Sequence, residues 1–355
     1  MKKNLFFLVL FFINLLLGVS INPHPDRQLE WRLYKARFNK EYSSEQAEKD
    51  AFQNYLHNSK EAVQATKKSS NQNVKTPAFF GINQFFDMDY SHFVKTYTGY
   101  RRNHHRSSKK NNNGRENNKK SDILQLQMKS EIRKIKSVDW NETLQMLPPR
   151  DQGNCGCCWA FATTAAIEAY HVITTGGPYQ YFSVQQVIDC CTSTCWGCDG
   201  GSLDAGFETI MRYRIDYERY YPYIQTETGC HPNITKFESA IRIHSFQFAH
   251  PLDEFEVIAA LQKQPLAVAV HASKYWMMYE GGILQPNQCL DDVDDINHAV
   301  LLVGYTEDYW LVRNSWSPQW GEQGHIRLAR GNTCGILNDV LWPSMDDDFD
   351  ERSEF

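Results

Sequence analysis

A cysteine, a histidine and an asparagine far apart in this chain have the side chains that a thiol-based acyl transfer needs. Cys158 opens the run CWAFATTAAIEAYHVIT, which is rich in Ala, lacks Gly and Pro, and is followed by Gly176-Gly177-Pro178. We therefore expect a helix that begins at or near Cys158. The positive end of that helix would lower the pKa of the thiol, and the thiolate is the nucleophilic form of cysteine.

His298 and Asn314 lie 140 and 156 residues after Cys158, where one apolar, strand-like run begins and a second one ends. An imidazole would hold the thiolate and later protonate a leaving amine, and an amide oxygen would orient the ring. The backbone N–H of Cys158 and the side-chain amide of Gln152 would stabilise an oxyanion. Each residue alone also has a structural explanation, but their order and spacing favour one shared site.

The first 20 residues have the basic, apolar, small-residue order of a secretory signal peptide. A membrane anchor is the alternative, but the apolar run of about 13 residues is shorter than the roughly 20 that a spanning helix needs. We therefore expect no transmembrane anchor in the mature protein. An exported chain favours disulfides among the ten cysteines, all of which lie between Cys155 and Cys334. Two sequons, at Asn141 and Asn233, are compatible with glycosylation.

Composition divides the remaining chain into an N-terminal segment, a globular domain and a tail. Apolar residues at three- and four-residue steps between Arg27 and about Lys67 predict two amphipathic helices. Residues 101–120 carry eight Lys or Arg against one Glu and no large apolar residue, which predicts a solvated linker. A nucleic-acid or heparin patch is the other interpretation of this run, although the net charge of −5 gives no reason to expect nucleic acid. The folded domain spans roughly 136–345, and an acidic tail, 346–355, follows.

Several motifs around these residues resemble the papain-like cysteine proteases, the cathepsin family. Cys155-Gly156-Cys157-Cys158-Trp159 matches the family's C-G-[SA]-C-[WY] pattern except at Cys157. Gly200-Gly201 after Cys198, and Trp320-Gly321-Glu322 after Asn314-Ser315-Trp316, are similar as well. Short stretches, such as WLVRNSW, look most like cathepsin O. Ser317 departs from the family, which usually has Gly there.

The resemblance implies an α+β, two-lobed papain-like fold, with a helical lobe, a β-barrel-like lobe and an active-site groove between them. It implies a cysteine endopeptidase made as a zymogen, with residues 21–135 as an inhibitory, mostly helical propeptide. It implies no metal and no cofactor, and it makes the partners peptide or protein substrates, the chain's own propeptide and cystatin-like inhibitors. The protein would reach the lysosome or be secreted.

The same resemblance assigns residues within the propeptide. The family's G-x-N-x-F-x-D pattern maps onto Gly81, Asn83, Phe85 and Asp87. The longer helical motif fits poorly, because Tyr55, Asn58 and Ala62 match it but Ala51 stands where an Arg is expected.

For the cysteines, the resemblance implies the bridges Cys155–Cys198, Cys190–Cys230 and Cys289–Cys334. Cys191 and Cys195 would form a further short bridge. Cys157 would then be the free thiol beside the nucleophile, or simply a small buried hydrophobe. A redox or zinc role for Cys195-Trp196-Gly197-Cys198 is the alternative, but no second ligand pair stands at zinc-finger distance.

The resemblance also implies a substrate groove, with an extended peptide bonded to the backbone of Gly201. Asp339 would lie at the base of the S2 pocket, where an acid pairs with a Lys or Arg side chain of the substrate. The alternative is an Asp339 that faces solvent near the chain end. The full set of predicted groove residues is Gly200, Gly201, Ser202, Leu203, Ala269, Ile296, Ala299, Trp316 and Asp339.

Two other classes of function share these features. A catalytically silent binding or inhibitor protein on the same scaffold is the first, since fold does not guarantee function. The joint presence of Gln152, Cys158, His298 and Asn314 argues against it. A transglutaminase or other acyl transferase is the second, because it would also form a thioester.

Overall fold

The computed structural model describes residues 26–72, 74–103, 134–231 and 241–344. The predicted signal peptide 1–20, most of the linker 101–120, the sequon at Asn233 and the tail 346–355 lie outside these ranges. Within them, no helix is both long and apolar enough to cross a bilayer.

Helices occupy the N-terminal part of the described chain and one side of the remainder. They are α1 Arg27–Phe38, α2 Glu45–Ser70, α3 Tyr90–Tyr97, α4 Trp140–Thr143, α5 Cys158–Thr175, α6 Val184–Cys190, α7 Leu203–Tyr213, α8 Glu254–Leu261 and α9 Lys274–Met277.

Strands dominate the second half. They are β1 Phe79–Phe80, β2 Val138–Asp139, β3 Phe246–Phe248, β4 Leu266–Val270, β5 Tyr279–Gly281, β6 Ile283–Leu284, β7 His298–Tyr305, β8 Tyr309–Arg313, β9 His325–Ala329 and β10 Val340–Pro343. Short 3-10 turns at Gly197–Asp199, Pro286–Gln288, Val293–Asp295 and Thr333–Gly335 complete the described elements.

Strand β7 lies at the centre of the main sheet, whose order is β3-β10-β4-β7-β8-β9-β6, with β2 also paired to β7. All eight of its residues are buried. Because successive side chains of a strand point to opposite faces, Ala299 and Leu301 enter one hydrophobic core while Val300 and Leu302 enter another. The sheet therefore separates two cores, as the predicted two-lobed α+β fold requires.

Helix α5 forms the spine of the helical lobe and packs against β7 and α7. The structure confirms that it begins at Cys158, and it ends where Gly176 takes the left-handed conformation (φ 67°). The Cys157 side chain makes no capping hydrogen bond to the helix. The N–H groups of Cys158 and Trp159, at the first turn of α5, face the Cys158 sulfur instead.

Residues 26–103, here called the N-terminal unit, fold as helices α1–α3 with strand β1 and dock on the barrel-like lobe. The two amphipathic helices are those the sequence predicts, and they meet through stacked and tilted rings of Trp31, Tyr34 and Tyr55. Ala51 is buried on the same face as Tyr55. Its small side chain leaves room for this aromatic cluster at the position where the family motif has Arg.

The four residues of the G-x-N-x-F-x-D pattern each make a distinct contact. A Cβ on Gly81 would lie 2.5 Å from the Glu280 carboxyl carbon, so a larger residue there would require the Glu280 side chain to move. The Asn83 amide donates to the Met277 carbonyl (2.9 Å) and fixes the unit to α9. Phe85 packs edge-on against Trp316, with ring centroids 5.5 Å apart.

Asp87 closes the pattern as a buried carboxylate that joins α1 to the loop after β1. It accepts hydrogen bonds from the hydroxyls of Tyr34 and Tyr42 (2.9 Å each) and pairs with the Lys40 ammonium (2.9 Å). The Lys40 and Asp87 side chains are 19% and 7% exposed, so solvent screens this ion pair only weakly.

We predict that Asp87→Asn destabilises the N-terminal unit by roughly 2 to 3 kcal/mol, because it removes the charge that two phenols and a lysine share in a buried site. Hydrogen exchange of the full chain would show faster exchange in α1 and α2 and unchanged exchange in α5. Asp89→Asn is the matched control, since Asp89 caps α3 and Asn caps helices equally well. Equal exchange in the two variants would contradict this role of Asp87.

Candidate active site

Three separate elements bring the predicted catalytic side chains together. Cys158 is the first residue of α5, His298 is the first residue of β7, and Asn314 directly follows β8. The backbone N–H of Ala299 lies against the Cys158 sulfur, so the thiol sits beside the residue that follows His298. The packing of α5 on β7 therefore creates the site.

The imidazole of His298 is oriented by Asn314. Its Nε2 lies 2.8 Å from Asn314 Oδ1, and since an amide oxygen only accepts, Nε2 carries the proton. Nδ1 is the basic nitrogen, and it is buried with no hydrogen-bond partner among the described residues. Trp316 stacks on the ring at a centroid distance of 4.6 Å. This arrangement leaves Nδ1 available for a proton from a thiol.

Burial shifts both ionisable groups toward their neutral forms. It raises the pKa of the Cys158 thiol to about 12, although the N–H groups of Ala299, Trp159 and Gly99 act in the opposite direction. Burial also lowers the pKa of His298 to about 4, partly offset by the Asn314 hydrogen bond. A covered site of this kind favours the thiol and the neutral imidazole over the thiolate–imidazolium pair.

Gln152 is fully buried and held from three sides. Its Oε1 accepts from the Ser315 hydroxyl (2.7 Å), its N–H donates to the Ser315 carbonyl (2.9 Å), and its carbonyl accepts from the Tyr223 hydroxyl (2.6 Å). Because Oε1 is fixed as the acceptor, the Nε2 donor has one orientation. It donates to the Cys155 carbonyl (2.9 Å) and to the Tyr97 carbonyl (3.3 Å).

Eight cysteines form four disulfides. Three are those that the resemblance implies, Cys155–Cys198, Cys190–Cys230 and Cys289–Cys334, and the fourth is the short Cys191–Cys195 bridge. Cys157 and Cys158 are free and buried. The Cys157 sulfur contacts the Tyr223 hydroxyl at 3.0 Å, and burial raises the pKa of its thiol. The Tyr223 hydroxyl also donates to the Gln152 carbonyl, so one hydroxyl links Cys157 to Gln152.

The last described residues of the N-terminal unit lie as a strand over Cys158. The N–H groups of Gly99 and Tyr100 donate to the Asn297 carbonyl (3.0 and 2.9 Å). The Gly201 N–H donates to the Gly99 carbonyl, and the Arg101 N–H donates to the Gly201 carbonyl, both at 2.9 Å. Tyr100 and Gly201 therefore form a parallel β-bridge. The backbone groups of Gly201 that are predicted to bind a substrate are thus bonded to the N-terminal unit.

The buried Tyr100 side chain reaches Asp339, which directly precedes β10. The Tyr100 hydroxyl hydrogen-bonds to the Asp339 carboxylate. Ala269 pairs with Ala299 across β4 and β7, and its N–H donates to the Asp339 carbonyl (3.0 Å). In the precursor, the Asp339 carboxylate therefore contacts the N-terminal unit, and its place in the S2 pocket stays a prediction.

Two of the other predicted groove residues pack in the core, and two hold the local backbone through hydrogen bonds. Leu203 is fully buried, and Ile296 packs against the same helical-lobe core. Ser202 is different, because its hydroxyl caps α7 at the Ala205 N–H and bonds Thr194. Gly200 takes a φ of 119°, where a side chain would be strained, and its carbonyl accepts from the Trp196 N–H (2.6 Å).

Sequence reasoning missed the backbone acceptor at Asn297 and the supporting hydroxyls of Ser315 and Tyr223. A carbonyl has no residue-type signature, so only the position of Asn297 next to His298 pointed to it. Ser315 stood inside the Asn314-Ser315-Trp316 motif, but nothing in the sequence linked it to Gln152, 163 residues away.

Asn141, the described sequon residue, is partly buried, and its Oδ1 lies 3.1 Å from His325 Nε2.

Comparisons with known proteins find relatives along most of this chain. The family model for papain family cysteine proteases matches residues 135–344. A cathepsin L-like proteinase of Fasciola hepatica is 32% identical over 321 residues, which cover 87% of this chain and 90% of that protein. Fruit bromelain of Ananas comosus is 30% identical, over 91% of this chain and 87% of that protein.

Solved precursors have the same fold. A recombinant stem bromelain precursor superposes with a TM-score of 0.75 and 28% identity, covering 91% of this chain and all of that one. A digestive procathepsin L 3 from Tenebrio molitor larval midgut gives a TM-score of 0.73 and 29% identity, with the same coverage. The narrower likeness of short motifs to cathepsin O stays a prediction.

We predict that Gly99→Ala exposes Cys158 in the uncut chain. An added Cβ would lie 1.9 Å from the Gly156 carbonyl oxygen, and a backbone atom cannot move aside. The strand over the thiol would then lift, and the Cys158 pKa would fall as solvent returns. Alkylation of Cys158 by iodoacetamide at pH 7, located by mass spectrometry, should be at least about tenfold faster than in the wild type.

Gly177→Ala is the control for this prediction, because the nearest atom to its added Cβ is the Thr175 hydroxyl at 3.2 Å, outside the site. Its alkylation rate should equal that of the wild type. An unchanged rate in Gly99→Ala would mean that residues 98–101 do not seal the thiol.

Proposed function

Because this chain belongs to the papain family of cysteine proteases and is a cysteine endopeptidase made as a zymogen, we propose that Cys158 is its nucleophile and His298 its general base and acid. The observation that carries this assignment is the state of the imidazole. Its Nε2 is committed to Asn314, and its Nδ1 has no partner among the described residues. The Cys158 sulfur, beside the Ala299 N–H, is the nearby group whose proton Nδ1 would take.

In the reaction, the Cys158 thiolate attacks the substrate carbonyl and forms an S–C bond. The N–H of Cys158 and the Gln152 amide stabilise the resulting oxyanion. The bond from Gln152 Nε2 to the Tyr97 carbonyl supports this role. Tyr97 directly precedes the strand over Cys158, so the amide already donates to a carbonyl oxygen of the covering segment. His298 gives its proton to the leaving amine as the C–N bond breaks. It then deprotonates the water that hydrolyses the thioester, and the Cys158 thiolate leaves.

Residues 21–135 act as the inhibitory propeptide, of which the N-terminal unit is the described part, and residues 136–345 form the peptidase domain. Inhibition has two physical components. The strand over Cys158 excludes a substrate, and the burial it causes keeps the thiol and the imidazole neutral. Cutting the basic linker 101–120 would convert an intramolecular inhibitor of high effective concentration into a dissociable one.

The wider biology follows from the same assignment. Residues 1–20 direct the chain into the secretory pathway, and the mature enzyme works in the lysosome or outside the cell. Four disulfides support an oxidising compartment of folding. Asn141 and Asn233 are the glycosylation sites, and cystatin-like inhibitors compete for the groove that the strand occupies.

Asp339 gives the enzyme a preference for Arg or Lys at P2, the second substrate residue before the cleaved bond. Support comes from Tyr100, whose side chain fills this pocket and donates to the carboxylate. A phenol is a neutral donor, whereas a guanidinium donates more than one hydrogen bond and carries the opposite charge.

The role of Cys158 is tested by two neighbouring substitutions. We predict that Cys158→Ser abolishes peptide hydrolysis by the acid-matured protein, because a hydroxyl is not ionised beside a neutral imidazole. Cys157→Ser should retain hydrolysis, since the hydroxyl can still bond Tyr223. Loss of activity in both variants, or in Cys157→Ser alone, would contradict the assignment. Amine incorporation without hydrolysis by the wild type would make the protein an acyl transferase.

The role of Asp339 is tested by the ratio of kcat/KM for peptides with Arg or Leu at P2. We predict that Asp339→Asn lowers this ratio by about tenfold or more, because the guanidinium loses its counter-charge in a partly buried pocket. Asp294→Asn removes an exposed carboxylate two residues before Ile296 and should leave the ratio within about twofold. A ratio that falls equally in both variants would indicate a general field effect and no pairing at Asp339.

A further inference from the structure

Trp196 is an aromatic side chain that the mechanism above does not use. Its ring is 52% exposed, although a tryptophan is usually mostly buried. It directly follows the Cys191–Cys195 disulfide and precedes the 3-10 turn Gly197–Asp199. Its N–H donates to the Gly200 carbonyl (2.6 Å), so its backbone is fixed to the groove residues Gly200 and Gly201. The Trp196 backbone is therefore held beside the groove residues, and its exposed ring forms a platform next to them.

Arg101 of the chain itself lies on this platform. Its guanidinium carbon is 5.2 Å from the centre of the Trp196 ring, within the range of a cation–π contact. Its Nε donates to the Asp199 carbonyl (2.9 Å), and its backbone N–H donates to the Gly201 carbonyl (2.9 Å). The site thus supplies both a π face and a carbonyl acceptor to one guanidinium.

The register of the strand fixes which substrate position meets Trp196. Gly99 lies at the Cys158 sulfur, Tyr100 lies opposite Gly201 with its side chain at Asp339, and Arg101 is the next residue outward. A substrate that bonds Gly201 in either chain direction places the same succession of side chains along the groove. The residue after the Asp339 pocket, counted away from the thiol, is P3.

The charges around the platform have the sign that a cation needs. Asp199 belongs to the turn that carries the acceptor carbonyl, and Asp204, on the adjoining helix α7, accepts from the Asn103 amide (2.8 Å). Glu227 accepts from the Cys198 N–H (2.9 Å) on the other side of the turn. Asp199 and Glu227 therefore lie at the turn that accepts from Arg101, and Asp204 lies at Asn103, two residues further along the chain.

We propose that Trp196 makes this enzyme select arginine or lysine at P3, through a cation–π contact combined with the Asp199 carbonyl. This inference rests on the proposed function and extends it, since it names a second specificity position. Together with Asp339, it describes a groove for substrates with consecutive basic residues. The alternative is a P3 site without selectivity for charge, in which the Trp196 ring packs against any large side chain through apolar contact alone.

The test uses the acid-matured wild-type protein and three peptides that differ only at P3, with Arg, citrulline or Leu there and Leu at P2. Citrulline has the shape of arginine without its charge, so the Arg-to-citrulline ratio of kcat/KM isolates the cationic part of the contact. We expect a ratio of about two to five, as for an exposed cation–π pair. Trp196→Ala should bring the ratio close to one, while Trp196→Phe should keep most of it because an aromatic face remains.

Tyr220→Ala is the matched control. Tyr220 is also an exposed aromatic residue (41%), and Arg219 lies 4.6 Å from its ring centre. Removing this ring should leave the Arg-to-citrulline ratio unchanged. A wild-type ratio of one, with all three peptides cleaved, would overturn the inference and leave the proposed function intact. Absence of cleavage of these three peptides and also of the peptide with Arg at P2 would overturn the proposed function, and the inference with it.

Discussion

The packing of helix α5 against strand β7 is the contact on which the rest of this structure depends. Cys158 and His298 are the first residues of these two elements, which belong to different lobes, so neither lobe contains a site alone. Small side chains lie at this contact, since Ala162 and Ala165 of the helix line the same small cavity as Ala299 of the strand. Small residues let a helix approach a sheet closely. A larger side chain at this contact would separate the thiol from the imidazole.

The same burial that assembles the site also silences it in the precursor. Trp316 covers the His298 ring, and Phe85 and Phe93 of the N-terminal unit pack edge-on against Trp316. The strand at Gly99 closes the remaining side over Cys158. Because the charged forms of both groups are the ones that burial penalises, the cover that excludes a substrate also removes the nucleophile. Under the function proposed above, activation requires release of this cover.

Much of this architecture could be predicted from the sequence, for reasons that particular residues make clear. The helix at Cys158 has a run of Ala and a Gly stop, and β7 has an unbroken apolar run, so local propensity and tertiary structure agree there. The resemblance to papain-like proteases then supplied the pairing of distant elements. It also supplied the pattern from Gly81 to Asp87, whose carboxylate has a direct electrostatic explanation in its contacts with Tyr34, Tyr42 and Lys40.

The remaining features depend on contacts that residue types do not encode. The Asn297 carbonyl is a backbone atom, and any residue would provide it. The buried hydroxyl of Ser315 meets Gln152 only because β8 returns beside the turn before α5. Tyr100 and Arg101 stand at the boundary of the basic linker, where composition predicted solvated chain, yet both are ordered by Gly201, Asp339 and Trp196. Their order comes from the groove and not from their own sequence.

Under the proposed function, Cys158 forms the covalent intermediate, and residues 98–101 prevent its acylation in the precursor. The most direct measurement is acid-quench mass spectrometry during turnover of a slowly hydrolysed ester, before and after maturation. We expect an acyl group on the peptide that contains Cys158, resolved from Cys157 by fragmentation, in the matured protein only. An acyl group on another residue, or equal acylation of the intact precursor, would contradict it.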